Sequence, residues 1–204
     1  LDNPEQLSRA AIGYGGRIVW LRAGRDRRFI PLLEDALRAM GERSSPERVR
    51  LMARLACALR GSPDRERSAN LGRQALEMAR ELGDPRTLAY ALNGRLGSTY
   101  WPENPKERLE LADEMVGLAD AAGDLEDSFE GHHWRVISLA ELGEIGRAAS
   151  ELDIMPARAE ELRHLCFLAP RGMCRPGGRD IDAFDAICSH VLVEGPGGRA
   201  LACF

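Results

Sequence analysis

Gly13, Gly15 and Gly16, in the string "AIGYGGRIVW", are the first residues along the chain whose type and spacing could do chemistry. Glycine-rich turns cradle phosphates because their backbone N–H groups can approach an oxyanion without a Cβ in the way. A P-loop needs G-x-x-x-x-G-K-[ST], in which the lysine reaches the phosphates and the hydroxyl holds magnesium. Here Arg17 and Ile18 follow, with neither Lys nor Ser or Thr. A dinucleotide fingerprint, G-x-G-x-x-G, needs glycine where Ile18 stands and a strand where "EQLSRAAI" has a helical pattern. The cluster reads as a break between helices, and no cofactor is expected from it.

The second candidate chemistry is metal binding. Cys166, Cys174, Cys188 and Cys203 lie near the C-terminus with His164 and His190 close by. Structural zinc sites use tight Cys-x2–4-Cys knuckles, whereas the intervals here are seven, thirteen and fourteen residues. His132 and His133 are adjacent, so on a helix they point about 100° apart and cannot grip one ion as an i, i+4 pair does. No metal is expected. Cys57 reads as a small core residue. No Ser-His-Asp or Cys-His set has a sequence signature, and the many carboxylates fall on helix faces, where they are ordinarily solvated. The chain is therefore read as not an enzyme. The aromatic residues that could meet a partner are Tyr100 and Trp101, in the connection "TYWPENP", and Trp134.

The elements that position these residues are helical. In the 204 residues, hydrophobic types make up 44% and aromatics only 5%. Ala, Leu and Arg are the commonest types and Glu is abundant, which favours helices that bury a real core. "SSPERVRLMARLACALRG", "GDPRTLAYALNGRLG" and "GDLEDSFEGHHWRVISLAELG" open on Ser45, Asp84 and Asp124 as N-caps, the first two with proline directly after. These starts recur about every 40 residues, a period typical of helical-repeat arrays. Between them lie "DRERSANLGRQALEMARELG", "NPKERLELADEMVGLADAAG" and "EIGRAASELDIMPARAEELRH". "ELGD", "AAGD" and "ELGE" place Gly83, Gly123 and Gly143 where a left-handed C-terminal residue belongs.

Apolar spacing is helical throughout. Val49, Met52, Leu55, Ala56 and Leu59 share a face, as do Leu109, Ala112, Val116 and Ala119. Ile145, Ala148, Leu152, Met155, Ala159 and Leu162 form a third, interrupted by Pro156. Ala69, Ala75 and Ala79 allow close helix approach. "RDRRFIPLLEDALRAMGE" fits as the second helix of an earlier pair, with Ile30, Leu33, Leu37 and Met40 inward and Pro31 in the first turn. Each pair cannot bury its apolar face alone, but a stack can.

The pattern fails at "LCFLAPRGMCRPGG", where a further first helix is due. Two prolines and three glycines oppose a helix there. Residues 164–180 are either a true loop or the product of compensating reading-frame errors in the source DNA. "DIDAFDAICSHVLVEG" then restores an apolar stripe, Ile181, Phe184, Ile187, Cys188 and Val191, predicting a helix over 180–194.

The strings "AIGYGGRIVWLRAGRDRRFIPLLEDALRAMG", "RLMARLACALR", "ELGDPRTLAYALNGR" and "WPENPKERLELADEMVGLADAAGD" resemble the helical-repeat region of large bacterial signalling ATPases. These are multidomain regulators of the large ATP-binding LuxR type and their adenylate-cyclase-linked relatives. The resemblance covers roughly residues 8–163. It implies a tetratricopeptide-like array lying after an AAA or STAND-type ATPase module in the same full-length chain. The family's ATP-binding, helix-turn-helix and cyclase motifs have no counterpart here, so those activities do not carry over.

The formal net charge is −4, which gives no global pull toward nucleic acid or membrane. Charge is uneven: residues 1–60 carry twelve arginines against seven acids, and 103–161 carry sixteen acids against five bases. Solvated helix faces and complementary docking surfaces both fit that division. No signal-peptide pattern follows Leu1 and no apolar run is long enough to span a bilayer, so a cytoplasmic setting is expected. The missing initiator Met predicts a piece of something longer.

The expectation is an all-α protein. Residues 1–163 form a right-handed solenoid of about four tetratricopeptide-like helix pairs, and 164–204 an irregular tail. The expected function is a non-enzymatic regulatory and protein-interaction module that binds a protein partner or small inducer on its concave face, without direct nucleic-acid contact. The alternatives are a small metal-binding or enzymatic domain using the Cys-rich tail, and an inert interdomain spacer.

Overall fold

Side chains at the caps set where the helices begin. In a computed structural model describing residues 3–14, 28–61, 63–163, 192–194 and 200–203, Ser45 Oγ accepts from the Arg48 amide at 3.2 Å. Asp84 Oδ2 accepts from the Thr87 amide at 3.0 Å, and Asp124 Oδ1 from the Asp127 amide at 3.1 Å. Each bond satisfies an N–H that has no partner inside its own helix. Asn3 and Asp64 cap two further helices in the same way.

Eight α-helices result among the described residues: α1 (Pro4–Gly13), α2 (Phe29–Met40), α3 (Pro46–Ala58), α4 (Arg65–Leu82), α5 (Pro85–Ser98), α6 (Pro105–Ala122), α7 (Leu125–Glu141) and α8 (Ile145–Arg163). A single 3-10 turn, Leu59–Gly61, extends α3. Gly83, Gly123 and Gly143 have φ of 69°, 64° and 77°, the left-handed conformation that glycine adopts at least cost. After α6 and α7 the reversal carries paired bonds: Asp124 N–H to Ala119 O with Gly123 N–H to Asp120 O, and Glu144 N–H to Leu139 O with Gly143 N–H to Ala140 O. These satisfy carbonyls left over at the helix ends.

The helices pack on their neighbours in the chain. In addition α3 packs on α5 and α5 on α7, so the first members of successive hairpins lie side by side. Small residues permit this: a Cβ at Gly94 of α5 would stand 2.5 Å from Ala53 Cβ, and one at Gly97 2.5 Å from Cys57 Sγ. The central core joins Val49, Met52 and Ala53 of α3 to Ala75 and Ala79 of α4, Leu92 and Leu96 of α5, Met115 of α6 and Trp134 of α7. A second cluster, around Leu33 and Phe29 of α2 with Leu51 and Leu55 of α3, closes the N-terminal end.

Two expectations are corrected. Ile145 is 64% exposed and does not belong to the buried face of α8. Glu151 is buried there, because His132 Nδ1 meets its Oε2 at 2.6 Å and Arg135 Nη2 its Oε1 at 3.3 Å. The helix expected over 180–194 does not include its last three residues. Leu192–Glu194 is a strand, β1, paired antiparallel with β2 (Ala200–Cys203), and the ladder's backbone bonds take the place of helical ones. Residues 180–191, and the possible loop at 164–180, lie outside the described residues. Pro156 sits inside α8 without ending it.

Candidate functional site

Among the described residues, the first helices bring a set of polar groups together. The C-terminal end of α1 supplies Ile12 and Gly13, α3 supplies Arg50 and Arg54, α5 supplies Arg86 and Tyr90, and the start of α7 supplies Asp124 and Asp127. Together they line a groove of about 480 Å³, within the range of roughly 300–1,000 Å³ usual for small-molecule sites.

Its floor is held in place. Arg54 is 3% exposed; its Nη2 donates to Tyr14 O at 3.0 Å and its Nη1 to Tyr90 Oη at 3.4 Å. The guanidinium also sits 5.3 Å from the centre of the Phe29 ring, a cation–π distance. Arg54 thus ties the end of α1 to α5 across α3. Tyr90 and Asp127 are buried as well. Arg50 is half-buried and Arg86 exposed, and neither forms an ion pair within 4 Å among the described residues. Three guanidiniums and two carboxylates therefore share one groove, with the carboxylates at the α7 end.

No cluster of His, Cys, Asp and Glu suited to a metal ion occurs among the described residues. Cys57 is buried and donates to Gly94 O at 3.4 Å. Burial pushes its thiol up to about 12, so the thiolate needed for nucleophilic work is scarce at neutral pH. His132 is engaged with Glu151. His133 packs edge-on to Trp134 at 6.2 Å, and burial lowers its pKa.

The aromatic residues expected to meet a partner separate into two kinds. Trp134 is 0% exposed and donates from Nε1 to Asn93 Oδ1 at 2.9 Å. It is core: the α7 position it occupies faces α5, and any partner would have to unpack the centre of the molecule to reach it. Tyr100 is 37% exposed and packs edge-on to Trp134 at 5.8 Å. Trp101 is half-buried, with the Arg65 guanidinium 3.7 Å above its ring. It thus bridges the α5–α6 connection to the start of α4. Arg108 fastens that connection from beneath. Its side chain is fully buried, it donates to the carbonyls of Thr99 and Trp101, and it pairs with Glu141 at the end of α7. Burial lowers its pKa, with Tyr100 and the carboxylates of Glu103 and Glu107 opposing the shift.

None of the three aromatics lines the groove. Of its lining, Gly13 entered the sequence reading as part of the glycine cluster and Asp124 as an N-cap; the three arginines, Tyr90 and Asp127 escaped it, although Arg50/Arg54 and Arg86/Tyr90 are both i, i+4 pairs, the spacing that puts two side chains on one helix face. Of the tail cysteines, Cys203 ends β2 and the other three, with His164 and His190, lie outside the described residues, as do Gly15 and Gly16. No helix among the described residues is long and apolar enough to cross a membrane. No protein-family model matches the chain, and no curated protein matches it either.

Proposed function

We propose that the chain is a tetratricopeptide-like, right-handed α-solenoid of about four helix pairs that works as a non-enzymatic interaction module. In this reading it belongs to a bacterial signalling ATPase or transcriptional regulator and biases an ATPase module elsewhere in that protein. A protein partner or small inducer binds along the first helices, in a cytoplasmic setting and without direct nucleic-acid contact.

The observation that carries the proposal is the side-by-side stacking of α3, α5 and α7, with a charged groove opening on that same side. The second helices α4, α6 and α8 pack chiefly on helices next to them in the chain. Closer spacing of the first helices bends such an array so that they form its inner side. Inner sides of that kind offer several helices at once to one ligand, which is how a stack of weakly specific units becomes a specific surface.

Site-specific photo-crosslinking in producing cells tests the reading. Probes at Arg86 and Glu126, on first helices, should trap a partner or ligand. Probes at Arg73 and Glu77, on the exposed side of α4, should not. Equal trapping from both sets, or none from the first, would rule the reading out.

A further inference from the structure

We propose that the groove between α1, α3, α5 and the start of α7 takes a small zwitterion, an amino acid or a short peptide with free ends. Its carboxylate lies on Arg50 and Arg86, and its ammonium toward Asp124 and Asp127. The proposal rests on the reading of the first helices as a binding side and adds the chemical class of the ligand.

Charge placement is the first argument. Arg50 and Arg86 come from different helices, line one groove, and form no ion pair among the described residues. Asp84 lies near enough to Arg50 to feel its charge, but its carboxylate is engaged by the Thr87 hydroxyl at 2.5 Å and the Thr87 amide at 3.0 Å. Guanidiniums present planar, paired donors that match a carboxylate better than any neutral group. The α7 side carries Asp127 and Asp124, whose Oδ1 also accepts the Asp127 amide at 3.1 Å; their charges repel a second negative charge and attract a positive one. A dianion such as phosphate meets that repulsion wherever it sits, whereas a zwitterion can turn its ammonium to that side and its carboxylate to the guanidiniums.

Rigidity is the second argument. The floor is built from buried Arg54 and Tyr90, which bond to each other, and Arg54 also holds the Tyr14 carbonyl. The groove therefore exists before a ligand arrives, and binding spends little free energy on ordering it. Its volume, about 480 Å³, suits a ligand of one to three residues.

The test uses the whole chain and a mixed-sequence tripeptide pool with free termini. Three further probes are the same pool C-terminally amidated, the same pool N-acetylated, and inorganic phosphate. Calorimetric titration should show binding of the free pool, a loss of about tenfold or more on amidation, and a smaller loss on acetylation. Phosphate should bind more weakly than the free pool. The double variant Arg50→Gln/Arg86→Gln should lose the preference for the free carboxylate. Its thermal midpoint should change little, since neither side chain forms an ion pair among the described residues and Arg50 acts on Asp84 only through its charge. Absence of binding by the free pool, equal binding of the amidated pool, tighter binding of phosphate, or full binding by the double variant would each overturn the proposal. Trapping at Arg86 and Glu126 by a protein partner alone would then leave the broader reading standing.

Discussion

Gly94 shows how one atom sets a helix spacing. It lies in the middle of α5, where glycine costs about 1 kcal/mol relative to alanine in an open helix. The structure accepts that cost because α3 passes too close for a side chain: a Cβ there would lie 2.8 Å from Ala53 Cα and 3.2 Å from Ala53 C, both backbone atoms that cannot turn aside. Gly94→Ala should therefore push α3 and α5 apart and destabilise by about 1–3 kcal/mol, the usual cost of overpacking, despite the gain in helix propensity. Gly117, in α6, has nothing within 4 Å of the same hypothetical atom. Gly117→Ala should stabilise by up to about 1 kcal/mol. Urea midpoints of the two variants should move in opposite directions, and a shared direction would show that packing does not decide at Gly94. Trp134 illustrates the converse error of reading. Aromatic identity suggests a contact residue, but identity does not say which side of α7 points to α5, and the Asn93 amide waiting there to accept the indole N–H is 41 positions away.

At the scale of the element, caps and stops were open to reading and long-range polar contacts were not. Asp84 makes the point in a form that titration can test. Its carboxylate accepts the Thr87 hydroxyl and the Thr87 amide, and these bonds hold its pKa below the ordinary 3.8. A depressed pKa means that the unfolded chain binds the proton more readily. The cap's contribution is thus complete above the ordinary carboxylate value and disappears as pH falls through the lower, folded value. Asp84→Ala should cost about 1 kcal/mol at neutral pH, and the gap between variant and parent should close as urea midpoints are measured at progressively lower pH. A gap that stays constant into strong acid would mean that the charged cap is not what starts α5. Ser45, Asp84, Asp124 and the three left-handed glycines are local signals, each decided within about five residues, and each appears where the spacing put it. The buried face of α8 depended on more. Glu151 turns inward and Ile145 outward because His132 and Arg135, on another helix, receive the carboxylate, and no periodicity within α8 contains that information. The groove is illegible for the same reason: its lining comes from four helices spread over residues 12–127.

For the whole molecule, the pattern of contacts predicts where stability is concentrated. Among the described residues, helix α5 packs on α3, α4, α6 and α7, whereas α1 packs chiefly on α2 and α3. Residues Ala89–Gly94 and Leu96–Thr99 of the α5 region are all buried, so opening α5 means dismantling the central core. Among the described residues, opening α1 gives up the burial of Ser8 and Ala11 and the contacts of half-buried Leu7 and Ile12 with the second cluster. In arrays held by neighbour contacts, stability is a sum of local terms, and the ends open at lower free energy than the middle. Native-state hydrogen exchange should therefore rank α5 slowest, α3 and α7 next, and α1 fastest among the helices that build the groove. Uniform protection across all four would mean that the molecule opens as one unit. The ranking bears on binding, because the groove joins the most stable helix to the least stable one, with Arg54 as the link through Tyr90 and the Tyr14 carbonyl. A ligand that bridges Arg50 and Arg86 adds a second link beside it. It should raise protection in α1 more than in α5, so exchange measured with and without the free tripeptide pool would register occupancy at the end of the fold that has the most order to gain.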